Sequence, residues 1–245
     1  MWEVKRRTRL GSGVQLLNQS GQLLNQRGTV EGLNTDDLKK QAKQVVKKLA
    51  KLYPDAKCAL HHKNPFQLLI ATILSAQCTD VRVNQVTKTL FKKYPDAKAF
   101  ARAGLADIEE DIRSTGFFRN KAKSIQACCA VLVDDHKGKV PDTMEELVKL
   151  GGVGRKTANV VLGNCFGVPG IVVDTHVGRI ARRLGLTKQK DAVKVEFELA
   201  ELIPPKEQVD FCHRMIYHGR QVCDARKPKC AECDLEKICP KVGVE

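Results

Sequence analysis

One stretch of sequence decides the fold: Leu150-Gly151-Gly152-Val153-Gly154-Arg155-Lys156-Thr157-Ala158-Asn159. Three glycines in four positions permit a tight turn, because glycine tolerates the positive φ angles that such turns need. The backbone N–H groups of the turn, and of the helix that starts after it, can hold a phosphate. Lys156 then places an amine beside that phosphate. The stretch indicates chemistry on a nucleic-acid backbone or sugar, and a plain corner between two helices is the alternative.

The composition favours a polyanionic partner. The 245 residues include 42 Lys and Arg against 28 Asp and Glu, a formal net charge of +14, and such a surplus predicts salt-sensitive binding to nucleic acid. No apolar run reaches the roughly 18 residues of a membrane helix, and the N-terminus lacks the apolar core of a secretory signal. We therefore expect no membrane partner and a reducing compartment: the cytoplasm and nucleoid, or the nucleus or mitochondrion of a eukaryote.

Helical signals run almost without interruption from Asn34 onward, so the predicted fold class is all-α. Pro65 opens an apolar stretch, 66–76, that predicts a central buried helix. Thr143 and Glu146 have the spacing of a capping box. Asp174 is a natural N-cap for the helix that follows it.

Residues 1–33 differ in composition from the rest. The pentad Gln-Leu-Leu-Asn-Gln occurs there twice, at 15–19 and 22–26, behind a basic cluster: Lys5, Arg6, Arg7 and Arg9. Two copies of a seven-residue step are too few for a coiled coil. We expect a flexible basic arm or a short amphipathic helix that is dispensable for chemistry.

Four cysteines near the C-terminus have metal-ligand spacing. Cys223, Cys230, Cys233 and Cys239 follow the pattern C-x6-C-x2-C-x5-C, and we name residues 223–239 the cysteine loop. Zinc sites usually have two close pairs, whereas one close pair between two outlying cysteines suits four thiolates around an iron–sulfur cluster. Zinc stays the alternative, because thiolates bind both metals. A bound cluster would present the loop's three central cations to phosphates: Arg226, Lys227 and Lys229.

Together these motifs closely resemble the endonuclease III family of DNA glycosylase/AP lyases. The resemblance runs from about Asn34 to Pro240. It rests on motifs in the family's order: Ser75-Ala76-Gln77-Cys78-Thr79-Asp80, Ser114-Thr115-Gly116-Phe117-Phe118, residues 150–159, Val173-Asp174-Thr175-His176, His218-Gly219-Arg220 and the four cysteines. It implies two helical lobes that flank a DNA-binding cleft, a helix-hairpin-helix motif and a C-terminal [4Fe–4S] cluster. The implied domains are a six-helix barrel lobe over 58–168 and a discontinuous lobe of 34–57 and 169–245.

The resemblance also implies roles for single residues. It makes Lys156 the nucleophile and Asp174 the essential carboxylate, and it makes Gln77 and Phe117 the residues that fill the gap left by an extruded base. Further DNA contacts are expected from the hairpin and from the cysteine loop: Gly152, Val153, Gly154, Arg155, Arg226, Lys227 and Lys229. The chain departs from the family at Gly151, where proline is common, which puts the stiffness of the hairpin in question.

The residue types fit a definite chemistry. Lys156 has to be uncharged to attack the sugar C1′, and we expect partial burial beside Arg155 to favour the neutral amine. The attack expels the base and leaves an imine, which permits β-elimination of the 3′ phosphate. Asp174 would stabilise the positive sugar and help to remove the lysine proton. The expected substrate is double-stranded DNA with damaged bases, oxidised pyrimidines above all, or abasic sites, and the expected enzyme is a monomer.

Other functions remain open at this stage. A pyrimidine-dimer glycosylase would carry the same lysine and cluster. A non-catalytic helix-hairpin-helix DNA-binding protein or an electron-transfer protein would need neither Lys156 nor Asp174. A monofunctional adenine glycosylase is disfavoured, because it would lack a nucleophilic lysine at 156.

Overall fold

The computed structural model describes residues 16–17, 23–24 and 35–244. Apart from one two-residue ladder, the regular structure of this part is helical, which confirms the predicted all-α class. Its α-helices are α1 Thr35–Leu52, α2 Pro65–Leu74, α3 Asp80–Lys93, α4 Ala97–Arg102, α5 Leu105–Asp111, α6 Phe118–His136, α7 Met144–Leu147, α8 Arg155–Val161, α9 Thr175–Arg183, α10 Ala192–Leu202 and α11 Gln208–Gln221. Short 3-10 turns cover Arg113–Thr115, Pro205–Glu207, Cys230–Glu232 and Glu236–Ile238, and a π turn, Leu162–Phe166, continues α8.

The ladder near the N-terminus joins the two copies of the repeated pentad. β1, Leu16–Leu17, pairs antiparallel with β2, Leu23–Leu24, so that each copy contributes its two leucines. The backbone is extended at these four residues, and the expectation of an amphipathic helix is wrong there. The rest of the segment 1–33, and with it the expected basic arm, lies outside the described residues.

The predicted central helix is α2, and its start follows from two residues. Asn64 is the N-cap, since its side chain accepts a hydrogen bond from the Gln67 N–H at 2.9 Å. Pro65 occupies the first helical position, where its missing N–H costs nothing. Phe66 and every residue from Leu68 to Leu74 are buried, as the all-round apolar pattern of this stretch predicts.

Buried apolar side chains form two separate clusters, which define two lobes. Lobe 1 has its core between Leu60 and Leu162 and is built from α2 to α8. Lobe 2 combines α1 with α9 to α11, and its core runs from Ile171 to Leu235 together with three residues of α1. From Thr35 onward the chain therefore passes from lobe 2 into lobe 1 and returns to lobe 2. The domain boundaries given above stay a prediction.

Two ion pairs connect the lobes. Arg220 at the end of α11 donates to Asp80 at the start of α3 at 2.6 Å. Arg155 at the start of α8 donates to Glu196 of α10 at 2.5 Å. Both pairs join residues far apart in sequence, so they fix the lobes relative to each other beside the cleft.

Candidate active site and nucleic-acid interface

A pocket opens between the two lobes, and it holds the predicted catalytic pair. Lys156 reaches it from α8 of lobe 1, and Asp174 reaches it from the residue before α9 of lobe 2. The pocket also has further polar side chains in its wall: Thr72, Ser75, Asp80, Asn164, His213, Tyr217 and Arg220. The structure thus brings to one pocket two residues that are 18 positions apart and that lie on elements of different lobes.

Asp174 is oriented by the helix that it caps. Its Oδ1 accepts a hydrogen bond from the Val177 N–H at 2.8 Å, which is the N-cap arrangement expected from the sequence. Its Oδ2 has no hydrogen-bond donor among the described residues. Because the cap fixes one oxygen, the half-buried carboxylate has one oxygen left for a group in the pocket.

Lys156 differs from the expectation of partial burial, because its side chain is exposed. The residue lies at the second position of α8, where the helix begins at the protein surface. Within the described part of the chain its amine has no hydrogen-bond or ion-pair partner. The amine is therefore accessible to a ligand that enters the pocket.

The glycine turn before α8 has the conformation that its sequence predicts. Gly152 has φ +73°, and a Cβ there would lie 2.6 Å from the Ser124 Cβ, so only glycine fits. Val153 is buried in lobe 1, which anchors the turn. The N–H groups of Gly152 and Gly154 donate to nothing in the part of the chain that the structure describes. Two free amides on a fixed turn can bind an anion such as a phosphate.

Arg155 has a different partner from the one predicted. Besides its ion pair with Glu196, its guanidinium lies 5.2 Å from the ring centroid of Phe197. The ion pair raises the pKa of Arg155 above its usual range. In this structure Arg155 connects the hairpin to α10 of lobe 2. The DNA contact expected of Arg155 stays a prediction.

The two residues predicted to enter the duplex are both exposed, and both have a left-handed backbone conformation. Gln77 has φ +53° in the turn between α2 and α3. Phe117 has φ +49° just before α6, and 63% of it is exposed. Residues with a Cβ rarely adopt this conformation. An aromatic side chain held out in water is not a core residue, and it is available to stack on a base.

The four cysteines of the cysteine loop line one cavity. Among the described residues no three His, Cys, Asp or Glu side chains are arranged to hold a metal ion, yet all four thiols face this common space. Buried Arg183 donates to the Cys223 Sγ at 3.3 Å and to the carbonyls of Asp224 and Ala225 at 2.6 and 2.8 Å. The donor set fits a group larger than one ion, bound through four sulfurs.

Three of the four cations of the cysteine loop lie between its first two cysteines, on its outer side. Arg226, Lys227 and Lys229 are exposed. Lys229 donates to the Gln221 carbonyl at 3.1 Å, which ties it to the end of α11. The three charges therefore face solvent on a loop that follows directly from a helix lining the pocket.

Several pocket residues received no role from the sequence. Arg220 and Asp80 form their ion pair in the pocket wall, and the motifs His218-Gly219-Arg220 and Ser75 to Asp80 were the signal that could have revealed them. Half-buried His213 donates through its Nε2 to the Asn164 Oδ1 at 2.9 Å, and burial lowers the pKa of His213. Because the Asn164 Oδ1 can only accept, the proton of a neutral His213 lies on Nε2, and Nδ1 is left as an acceptor for a ligand.

The fold and the pocket define a helix-hairpin-helix DNA repair protein. Residues 70–205 match the model of the HhH-GPD superfamily of base excision DNA repair proteins, and the chain belongs to the endonuclease III family of that superfamily. It is 55% identical to endonuclease III of Synechocystis over 203 residues, which cover 82% of this chain and 93% of that protein. It is 48% identical to endonuclease III of Bacillus subtilis, with 82% and 92% covered.

The fold agrees with solved structures of relatives bound to DNA. A non-covalent endonuclease III–DNA complex has a TM-score of 0.80 and 50% sequence identity, with 83% of this chain and 95% of that chain covered. A trapped covalent endonuclease III–DNA intermediate matches with the same TM-score and identity, and 96% of that chain is covered. In the described part of our chain, no helix is both long and apolar enough to cross a membrane.

Proposed function

We propose that this chain excises damaged bases from double-stranded DNA and then cleaves the strand at the abasic site, with Lys156 as nucleophile and Asp174 as its carboxylate partner. The observation that carries the proposal is the pocket between the lobes, in which an unpaired amine and a capped carboxylate face the same space. Endonuclease III relatives, two of them solved with DNA, support the same activity. The place of action would be wherever the DNA is, which is the nucleoid in a bacterium.

The proposed reaction has two stages. The Lys156 amine attacks the sugar C1′, the C1′–N bond breaks, and the base departs with the bonding electrons and takes up a proton. The sugar ring opens to an imine between Lys156 and C1′. Loss of a C2′ proton then breaks the C3′–O bond and releases the 3′ phosphate, and water later hydrolyses the imine. Asp174 accepts the proton of the attacking amine and stabilises the positive sugar through its unpaired oxygen.

The DNA backbone would be bound by main-chain amides and by cationic side chains. The free amides of Gly152 and Gly154 would bind one phosphate beside the pocket, next to Lys156 in sequence. The exposed cations of the cysteine loop would bind another part of the backbone. Moving a base out of the stack costs a few kcal/mol, and Gln77 and Phe117 would fill the space that it leaves.

The pocket wall supports an oxidised pyrimidine as the preferred base. Neutral His213, with Asn164 beside it, can exchange hydrogen bonds with the carbonyl and N–H groups of a pyrimidine edge. Arg220, on the same helix α11 as His213, adds a cationic donor that is paired with Asp80 of lobe 1. A damaged pyrimidine that has lost aromatic stacking leaves the helix more easily than a normal base.

A [4Fe–4S] cluster bound to Cys223, Cys230, Cys233 and Cys239 is the cofactor that we assign to the cysteine loop. When bound, it would supply four iron–sulfur bonds that close the loop around the cavity. Arg183 would hold the loop from inside through its bonds to the first cysteine and the two carbonyls after it. The cations would then bind DNA from a preformed loop, with a smaller loss of entropy.

Borohydride trapping tests the proposal. The purified protein, with its iron content measured, is incubated with duplex DNA that contains one oxidised pyrimidine or one abasic site. We expect a covalent adduct with each DNA, because borohydride reduces the imine to a stable amine. Lys156→Ala should give no adduct, and Asp174→Asn should slow its formation by on the order of 100-fold, as the loss of a general base does.

The matched control is Lys149→Ala. Lys149 is an exposed lysine close to the same turn, it pairs with Glu146 at 2.6 Å, and it does not line the pocket. Its removal should leave trapping unchanged. An adduct that persists in Lys156→Ala, or that never forms with iron-loaded protein, contradicts the proposed chemistry.

A further inference from the structure

Lys121 of α6 is a buried lysine that the proposed chemistry does not use. It is 5% exposed, and its Nζ donates to two backbone carbonyls, those of Leu74 and Thr115, each at 2.8 Å. Neither carbonyl accepts another hydrogen bond from the described residues. Burial also lowers the pKa of Lys121. A buried ammonium is costly, so its position calls for a physical reason.

The two carbonyls lie at the bases of the loops that carry Gln77 and Phe117, the residues predicted to enter the duplex. Leu74 ends α2, and Gln77 follows three residues later. Thr115 ends the 3-10 turn after α5, and Phe117 follows two residues later. One nitrogen therefore joins two loops that are about forty residues apart in sequence and that each end in an exposed, left-handed residue.

We infer that Lys121 is a positioning residue that holds the Gln77 loop and the Phe117 loop at a fixed separation, so that both enter the duplex as one rigid unit. The inference rests on the proposed function, in which these two side chains fill the gap beside an extruded base. An ammonium has three donors in a fixed tetrahedral arrangement, so two carbonyls bound to it cannot move independently. Gln77 and Phe117 need support from their surroundings, since the left-handed backbone conformation is unfavourable for residues other than glycine.

The inference predicts a selective defect. Extruding a base from a duplex needs both loops in place, whereas a preformed abasic site in single-stranded DNA has no stacked partner to replace. Loss of Lys121 should therefore slow base excision from duplex DNA and leave cleavage of the single-stranded abasic site nearly unchanged. A lysine that only stabilises the fold would affect both reactions alike.

The test compares Lys121→Met with Lys123→Met, which removes the same charge from an exposed position of the same helix. Two reactions are measured under single turnover: excision of an oxidised pyrimidine from a duplex, and strand cleavage at an abasic site in single-stranded DNA. For Lys121→Met we expect about a tenfold or larger fall in the first rate, since two buried carbonyls lose their donor, and less than about a twofold change in the second. Lys123→Met should change neither rate.

Unstacking of the duplex provides a second readout. A fluorescent 2-aminopurine placed opposite the lesion brightens when insertion of the two loops disturbs its stacking on its neighbours in the same strand. Wild-type protein should raise this fluorescence on binding, and Lys121→Met should raise it much less at saturating protein. Lys121→Gln keeps one donor group and should show a smaller version of both defects, which keeps the test valid if the methionine variant is unstable.

The outcomes separate the two hypotheses. Parallel losses of both reactions in Lys121→Met and Lys121→Gln, with an unchanged fluorescence rise, overturn the positioning role and leave the proposed function intact. A wild-type protein that is inactive on both DNAs rejects the proposed function, and the positioning role falls with it. A selective duplex defect that becomes smaller in a Phe117→Ala background supports the inference, because coupled residues are not additive.

Discussion

Lobe 1 and the cysteine loop are held in place by different forces. In lobe 1 the large side chains of Phe100, Leu69 and Ile125 are fully buried, so burial of apolar surface stabilises its helices. In the cysteine loop only Leu235 is buried among 17 residues, and the regular structure amounts to two 3-10 turns. Lobe 1 is therefore built on a core, whereas the cysteine loop depends on polar anchors and on the cofactor that we propose for it.

The largest expected effect comes from breaking the cysteine loop. Cys233→Ala, or removal of iron from the wild type, should abolish the visible absorbance of the cluster and make residues 223–239 sensitive to protease. DNA affinity should fall by about tenfold or more, because three cations lose their fixed positions. Helical circular dichroism should change little, since lobe 1 keeps its core.

Cys165→Ala is the control for this experiment, since Cys165 packs against the core of lobe 1 and lies outside the cavity. It should keep both absorbance and affinity. Full DNA affinity in iron-free protein would show that the loop is ordered without the cofactor.

The converse change is Phe100→Ala in lobe 1. Phe100 packs on Tyr94 and Phe66, with ring centroids 4.6 and 6.0 Å away, so its truncation leaves a cavity in the core. We expect a loss of about 3–5 kcal/mol in the free energy of unfolding, measured by urea denaturation. Iron content per folded molecule should not change.

Phe117→Ala is the matched control for stability, because the Phe117 ring is exposed. Its removal should lower the free energy of unfolding by no more than about 0.5 kcal/mol. Equal losses from the two phenylalanine variants would refute the view that lobe 1 is stabilised by its core.

A smaller effect is expected at Gly151, where the family commonly has proline. Proline would restrict the unfolded chain and stabilise by about 0.4–1 kcal/mol if it fitted. A Cβ at this position, however, would lie 3.0 Å from the Ser124 carbonyl oxygen and 3.0 Å from the Ala127 Cβ. Overpacking against α6 outweighs the entropic gain, so Gly151→Pro should lose about 1 kcal/mol in the free energy of unfolding.

Gly154→Ala provides the comparison for stability. Its φ is −96°, and a Cβ there meets no atom within 4 Å, so its free energy of unfolding should stay within about 0.5 kcal/mol. A higher free energy of unfolding in Gly151→Pro would contradict this prediction, because it would mean that α6 shifts to make room for the proline ring.

The features that the sequence predicted are those that depend on residues close together along the chain. The all-round apolar pattern of α2, the cap at Asp174 and the glycine turn are local signals, and the structure has all three. The resemblance to a family added the pairing of Lys156 with Asp174, which spacing alone does not give. The order of the motifs therefore indicated which distant residues act together, which helix propensity and hydrophobic periodicity do not indicate.

What the sequence did not predict depends on distant partners. Arg155 was expected on DNA, but its partner is Glu196, 41 residues away. Lys121 received no role, because both of its acceptors are main-chain carbonyls and the farther one is 47 residues away. The exposure of Lys156 depends on how α8 meets the surface, which no local pattern encodes.

The path of the chain through the two lobes has a consequence for biosynthesis. Among the helices that the structure describes, α1 emerges first from the ribosome, yet the residues that cover its apolar face lie beyond residue 170. Lobe 1 is contiguous and can fold while translation continues. Helix α1 must therefore remain an unsatisfied amphipathic segment until the residues from Ile171 to Leu235 have been made. Iron delivery to the cysteine loop would accordingly follow the synthesis of the helices of both lobes.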